Sequence, residues 1–502
     1  MRSSAFVLVP AALLLPSTAA TQGYRVRVDT RWQTVAYRGV TLDSISVADT
    51  VSSPGGGPLS PDGFAVRCPP GAAYCTFFRP GAIRRGGPAT STVEASAWGF
   101  GIRGLSVRAT GRVGVDLGTA DVWPGTNPAV QLLEGYAEYA VPRMTARLGR
   151  QVIPSRLGMT GFDGAGLTVR DASHGIELQG YGGWGLARGV ALPVTSPALN
   201  PLDDFQPLQR QLIVGAGGGW TSGWADARVE YQREVDPHAR KFVSERVGFD
   251  GALRPVGGVR ISGGADYDLA AGWWGSAEAT VAYITPRVRG TVGARRYRPH
   301  FDLWTIWGAF SPVPYRSLQA SVAYAALSRF EVRGRYERYR YDEAATETPL
   351  FSAKQDGWRA ELGVTATPVP AWTFDADYQR EFGPGAAVAG TAATVTYQPT
   401  PRIRATLLGS SFERPLEFRF NDVGVRTFGL DAQFTSSERF RIGLTAYHYS
   451  EAHHRPDAGA FDWNQWRASM RVVMAFGDAA DLRGLPPSIQ MLPGGRSART
   501  PP

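Results

Sequence analysis

From Trp466 to Phe476 the chain alternates with a period of two. Trp466, Ala468, Met470, Val472, Met474 and Phe476 are apolar, while Arg467, Ser469 and Arg471 stand between them. Successive side chains of a strand point to opposite faces, so this segment has one oily face and one face that carries charge. Such a strand can stand between hydrocarbon and water, and aromatic residues at its two ends match the interfacial girdles of a membrane barrel.

The pattern recurs along the chain. Trp358, Ala360, Leu362, Val364 and Ala366 alternate with Arg359, Glu361, Gly363 and Thr365. Beyond the turn at Pro368 to Pro370, Trp372, Phe374, Ala376 and Tyr378 alternate with Thr373, Asp375, Asp377 and Gln379, which makes the two runs neighbours in one hairpin. No long stretch shows the i, i+3, i+4, i+7 spacing of an amphipathic helix. Brief turns, such as those at 141–143, 285–287 and 399–401, take turns with longer polar connections at 188–208, 342–356 and 451–462, the asymmetry of short periplasmic turns and long outer loops. With Tyr24 to Tyr37 as the first strand, the count is about 22, within roughly 18 to 24, and an even number leaves both ends in the periplasm. The fold expected is all-β: a transmembrane antiparallel up-and-down β-barrel with no plug domain.

The ends fit that setting. Arg2, the apolar run Ala5 to Leu15 and the small residues Thr18, Ala19 and Ala20 read as a signal peptide over 1–20. No apolar run elsewhere reaches the length of a membrane helix, so a secreted chain of this kind spans a bilayer only as a closed barrel, here 21–476. The region 51–89, rich in Gly and Pro, is expected to be a long extracellular loop. It holds the only cysteines, Cys68 and Cys75, and a small disulfide is the expectation; a metal pair is the alternative, with no His or further Cys nearby. After Phe476 the alternation stops, and 477–502 is expected to be a disordered periplasmic tail.

The formal charge of +9 is almost all arginine, since Lys241 and Lys354 are the only lysines. These charges are spread through alternating strands beside carboxylates and do not gather on one face, so nucleic acid is not an expected partner. Alternation turns Arg108, Arg112, Arg147, Arg260, Arg289, Arg295, Arg333, Arg335, Arg359, Arg441, Arg467 and Arg471 toward the lumen. Interleaved with them are Glu134, Glu138, Glu177, Glu361, Asp375 and Asp377. A charge on the lipid face would cost roughly 2 to 4 kcal/mol at the midplane, so the wet interior is where these groups stay ionised. They either pair across strands and stiffen the wall or form an electrostatic lining for anionic solutes. The 60 glycines and 56 aromatic residues (14 Trp, 19 Tyr, 23 Phe) suit a barrel with aromatics outside and small residues inside.

Catalytic and cofactor motifs are weak. Gly180-Tyr181-Gly182-Gly183-Trp184-Gly185 has the spacing of a dinucleotide fingerprint, but it lies inside a strand-like run and not between a strand and a helix. Neither a Gly-x-Ser-x-Gly elbow nor a His-Glu-x-x-His motif is present. His453 and His454, near Glu451 and Asp457, could gather a metal, although a solvated loop is the simpler reading. A barrel hydrolase would need a Ser or Asp with a His at the outer rim. No cofactor, metal or catalytic residue is expected.

Ala146-Arg147-Leu148-Gly149-Arg150-Gln151 followed by Phe162-Asp163-Gly164-Ala165-Gly166-Leu167-Thr168-Val169-Arg170 resembles Gram-negative outer-membrane porin-like and alginate-export-like barrels, in which a Leu-Gly-Arg-Gln strand precedes a Phe-Asp-Gly strand. The resemblance implies a passive conduit with an Arg-rich lumen. The apolar strand closing on Phe476 is similar to the terminal signal read by the barrel assembly machinery, although 26 residues follow it here. A TonB-dependent transporter is disfavoured, because its N-terminal plug has no counterpart before the first strand. The expected function is an outer-membrane channel for passive passage of small polar or anionic solutes, with outer-membrane lipid as its surroundings. The alternatives are a barrel with an occluded lumen acting as anchor, receptor or export/assembly component, and a water-soluble secreted β-protein.

Overall fold

The computed structural model describes residues 23–52, 57–118, 130–186, 211–236, 241–298, 314–342, 356–383, 386–414, 423–453 and 462–478. The expected signal peptide and all of the expected tail beyond Asp478 lie outside the described residues.

The first half of the chain gives β1 (Gly23–Gln33), β2 (Val35–Ser46), β3 (Val51–Ser52), β4 (Pro58–Leu59), β5 (Tyr74–Gly86), β6 (Pro88–Trp98), β7 (Leu105–Asp116), β8 (Val130–Val141), β9 (Met144–Ser155), β10 (Gly158–Asp171), β11 (Ile176–Gly185), β12 (Leu212–Thr221) and β13 (Ala225–Asp236). The second half gives β14 (Lys241–Leu253), β15 (Val259–Asp268), β16 (Trp273–Ile284), β17 (Val288–Tyr297), β18 (Tyr315–Leu327), β19 (Phe330–Tyr341), β20 (Asp356–Val369), β21 (Trp372–Gly383), β22 (Ala386–Thr400), β23 (Ile403–Arg414), β24 (Val423–Ser437), β25 (Phe440–His453) and β26 (Trp463–Gly477).

Apart from β2 to β5, these strands form one 22-stranded antiparallel sheet, and β1 pairs with both β26 and β6, which closes it into a barrel. Closure removes the edges, so every wall strand has a partner on each side. The helical content among the described residues is a single 3-10 turn, Val47–Asp49.

The outer wall carries the apolar set read from the sequence. Leu148, Leu318, Leu362 and Phe428 are each more than 60% exposed, and on β26 Trp466, Met470 and Phe476 point outward while Val473 and Ala475, 2% and 1% exposed, point in. Aromatics gather at the outer wall's ends: Trp220 stands edge-on to Trp224, and Trp372 lies 4.6 Å from Tyr397, beside the short turns. An exposed oily belt of this kind on a closed barrel has hydrocarbon, not water, as its neighbour.

The excursion expected over 51–89 begins earlier. β1 and β6 run on past the rim as β2 and β5, which pair with each other over Val35–Gly86 as a separate ribbon. At its tip Cys68 and Cys75 are joined in a disulfide, and Val66, Cys75 and Phe77 pack with Ile45 and Phe64 in a small core of their own. The ribbon is rooted on β26: the Ala36 amide donates to Gln465 Oε1 at 3.2 Å, and the Arg38 guanidinium donates to the Asp462 carbonyl at 3.1 Å and lies over the Trp463 ring.

Candidate functional site in the barrel lumen

Register decides which face each side chain takes, because directly opposed residues on neighbouring strands share a face. On β19, β20 and β21 the rows Arg333, Gly363, Asp377, then Arg335, Glu361, Gln379, then Glu337, Arg359, Glu381 all face inward. Arg333 spans two carboxylates, with contacts of 2.9 Å to each oxygen of Asp375 and 2.7 Å to Asp377. Gly363 makes this possible, since a Cβ there would stand 2.3 Å from Asp377 Oδ1 and 2.5 Å from Arg333 Nε. Arg359 reaches Glu381 at 2.8 Å and Glu337 at 3.4 Å.

The other residues expected in the lumen share this inner face. Arg147 meets Glu138 at 2.6 Å, and Arg108 meets Glu134 at 4.0 Å. Glu177 takes Arg170 at 2.7 Å and Arg228 at 3.8 Å, and Arg289 pairs with Glu331 at 2.5 Å. Arg112 donates to Gln131 at 2.5 Å, while Arg295 lies over Tyr297 and Arg467 over Tyr449. Arg260 makes no ion pair among the described residues. On β26 Arg471 grips Asp29 at 2.9 and 2.6 Å, and Arg441 sits one strand away, opposite Val473. The lining is therefore divided into well-paired stretches and a seam with fewer carboxylates.

The hairpin of β9 and β10 was not legible. β9 pairs with β8 only up to Arg150 opposite Gly135, and β10 with β11 only up to Phe162 opposite Gly185. Beyond that line the hairpin, tipped by Arg156 and Leu157, leaves the wall and folds across the inner face of β11 to β16. Arg156, its side chain 10% exposed, reaches Asp250 at 2.8 Å and Glu278 at 3.2 Å, and its amide donates to Glu230. The Leu157 carbonyl accepts from Arg246 at 2.9 Å, and Thr160 donates to Gln232 at 2.6 Å. Small inner residues make space for the tip: a Cβ on Gly264 would meet Arg156 Nη1 at 2.4 Å, and one on Gly248 would meet Leu157 at 3.1 Å.

The Leu-Gly-Arg-Gln and Phe-Asp-Gly segments are the hinge of this fold-in. Arg150 and Asp163 are register partners joined by two contacts of 2.7 and 2.9 Å, with a third bond from Arg150 to the Leu132 carbonyl. Gly149 has φ +130°, where a Cβ would come within 2.3 Å of the Gly135 carbonyl. Gln151 is 1% exposed and donates to the Gly164 carbonyl, and Phe162, fully buried, stacks on Tyr181 at 5.3 Å. The Gly-Tyr-Gly-Gly-Trp-Gly run lies within β11, paired on both sides, and its Gly183 lets the backbone of Asp163 approach to 2.4 Å from where a Cβ would be, so its glycines serve close strand packing.

The expectation that aromatics lie outside holds only in part. Tyr181, Tyr297, Tyr315, Tyr339 and Tyr341 face inward, because a phenol can place its hydroxyl on the polar lining: Tyr339 donates to Glu381 at 3.0 Å and Tyr181 to Gln232 at 3.2 Å.

Two histidine arrangements bear on catalysis. His174 lies beside Ser173 and Asp171 in the short turn between β10 and β11, but both contacts, 3.1 and 2.6 Å, fall on the same ring atom, Nδ1. A relay needs the acid and the nucleophile on opposite nitrogens, so this is a turn-capping cluster. His453, 2% exposed at its side chain, lies between Glu451 at 3.4 Å and Asp462 at 3.3 Å; His454 and Asp457 lie outside the described residues.

Closed hydrogen bonding, an oily outer belt and a charged interior settle the location. The chain is an outer-membrane β-barrel. No family profile matches it, and no curated protein does. Among solved structures, the siderophore receptor PirA from Pseudomonas aeruginosa aligns with a TM-score of 0.44 at 10% identity, over 90% of this chain and 80% of that one. The outer membrane protein OpdK from Pseudomonas aeruginosa aligns at 0.37 and 9%, over 91% and 100%, and OccAB4 from Acinetobacter baumannii at 0.39 and 8%, over 92% and 100%.

Proposed function

We propose that the barrel is a channel for passive passage of small polar or anionic solutes, inserted by the barrel assembly machinery. The observation that carries this reading is the inner face itself: arginine and carboxylate rows line a closed wall from β1 to β26, where water and hydrated solutes keep them ionised. The test is planar-bilayer recording of the folded protein. Stepwise conductance with a reversal potential leaning toward anions is expected, and absent steps, or a clear cation preference, would reject it.

The inward hairpin favours a second reading, a barrel whose lumen is occluded so that it serves as anchor, receptor or export component. The described part of the ribbon is rooted on the rim at β26, so the obstruction lies with the Arg156 hairpin and not with the long excursion. Removing residues 152–160 separates the two readings. A closed barrel that becomes conductive only on deletion supports occlusion.

A further inference from the structure

We infer that the closing seam of the barrel, where β1 meets β25 and β26, is a binding site for small divalent oxyanions such as sulfate, phosphate or a dicarboxylate. The inference rests on the channel reading and names the solute chemistry that its lumen would hold.

Four guanidinium groups converge there on the inner face: Arg27, Arg31, Arg441 and Arg471. Arg31 and Arg471 are direct cross-strand partners, and Arg441 faces the same row as Asp29 through Val473. Two carboxylates answer them. Asp29 binds Arg471 through both oxygens and touches Arg27 at 3.2 Å, and Glu94 on β6 reaches only Arg27, at 3.4 Å. Neither Arg31 nor Arg441 has a hydrogen-bonded carboxylate among the described residues, and Arg441 Nε is buried with no hydrogen-bond partner there.

A wall built only for stiffness would not be made this way. Like charges directly opposed across a ladder are destabilising, whereas Arg333 and Arg359 on β19 and β20 are each given two carboxylates. Among the described residues the seam keeps a surplus of two positive charges and gives Arg31 and Arg441 no hydrogen-bonded carboxylate. The missing partner has two negative charges and oxygens set to receive a planar fork, which describes a small divalent oxyanion. Chloride offers a point charge without that geometry. The hairpin covers the inner face of β11 to β16, on the far side of the ring from β1, so solute passing it is left with the seam as a neighbouring wall.

Single-channel recording in potassium chloride, with sodium sulfate titrated into the bath, reads the site. Half-block by sulfate is expected on the order of 1 mM, an affinity within reach of two charge-assisted forks. R441Q and R31Q should each raise that concentration about tenfold, and R441K, which keeps the charge and loses the fork, about threefold. Barrel closure in each variant is checked by its heat-modifiable gel mobility. Equilibrium dialysis of labelled sulfate against the folded protein in neutral detergent reads the same site whether or not current flows. Conductance can therefore fail, ending the channel reading, while the seam is still tested. Sulfate binding that is absent at roughly 50 mM, or unchanged in the R31Q/R441Q double variant, overturns the inference.

Discussion

Replacing Arg156 by Gln should loosen the inward hairpin while leaving the wall closed. The guanidinium is 10% exposed and bridges Asp250 and Glu278, which are 44% and 43% exposed. Charge-assisted contacts are worth about 1.5 to 3 kcal/mol when sheltered and well under 1 when fully solvated. With carboxylates this exposed, ~1 kcal/mol for each is a fair value, or about 2 kcal/mol for the bridge. The remaining fastenings, Glu230 to the Arg156 amide, Arg246 to the Leu157 carbonyl and Thr160 to Gln232, stay in place. The detached population should then rise about 30-fold, since 1.4 kcal/mol is a factor of ten. Amide hydrogen exchange over residues 151–161 in detergent should quicken by that factor, with wall amides of β19 to β21 unchanged, and open-channel current noise should increase. Unaltered exchange at 151–161, together with unaltered noise, would refute the idea that Arg156 latches the hairpin.

Leu362→Arg places a charge on an outer-wall position that is 63% exposed, at a cost of about 2 to 4 kcal/mol if the residue lies near the bilayer midplane; urea titration of the barrel in lipid should show the loss, and a stability equal to wild type would place Leu362 away from hydrocarbon. Cys68→Ser removes a cross-link between residues seven apart, which in the chain-entropy account is worth about 2.5 kcal/mol to the ribbon. Protease cuts within 57–86 are expected to appear while the barrel keeps its heat-modifiable mobility.

The wall was legible because each strand reports its own two faces. Trp358 to Ala366 could be read without knowing its neighbours, and the register sets Arg359 opposite Glu337 and Glu361 opposite Arg335. The fold-in of β9 and β10 was not, for two physical reasons. Alternation tells an apolar face from a polar one, but Ile153, Leu157 and Phe162 bury their apolar groups inside the lumen, not against lipid. The partners that hold the tip lie 94 and 122 residues away, beyond any local pattern. The inner tyrosines escaped for a related cause, since a phenol reads as apolar in a periodicity count yet bonds through its hydroxyl. The Leu-Gly-Arg-Gln and Phe-Asp-Gly segments did carry a signal, although it marked a hinge and not a solute. The ribbon's early start at Val35 was hidden because β1 continues into β2 with only Thr34 between them.

The pairing of β1 with β26 has a temporal consequence. Tyr24 and Asp478 bond across 454 positions of sequence, so the ring cannot shut until β26 has been made and delivered to β1. Every earlier stage has two raw margins whose amides would be unsatisfied in hydrocarbon, at several kcal/mol per group. Newly made polypeptide therefore has to wait, shielded, for the strand that closes the ring, and a truncation that trims β26 should yield aggregate rather than a smaller ring.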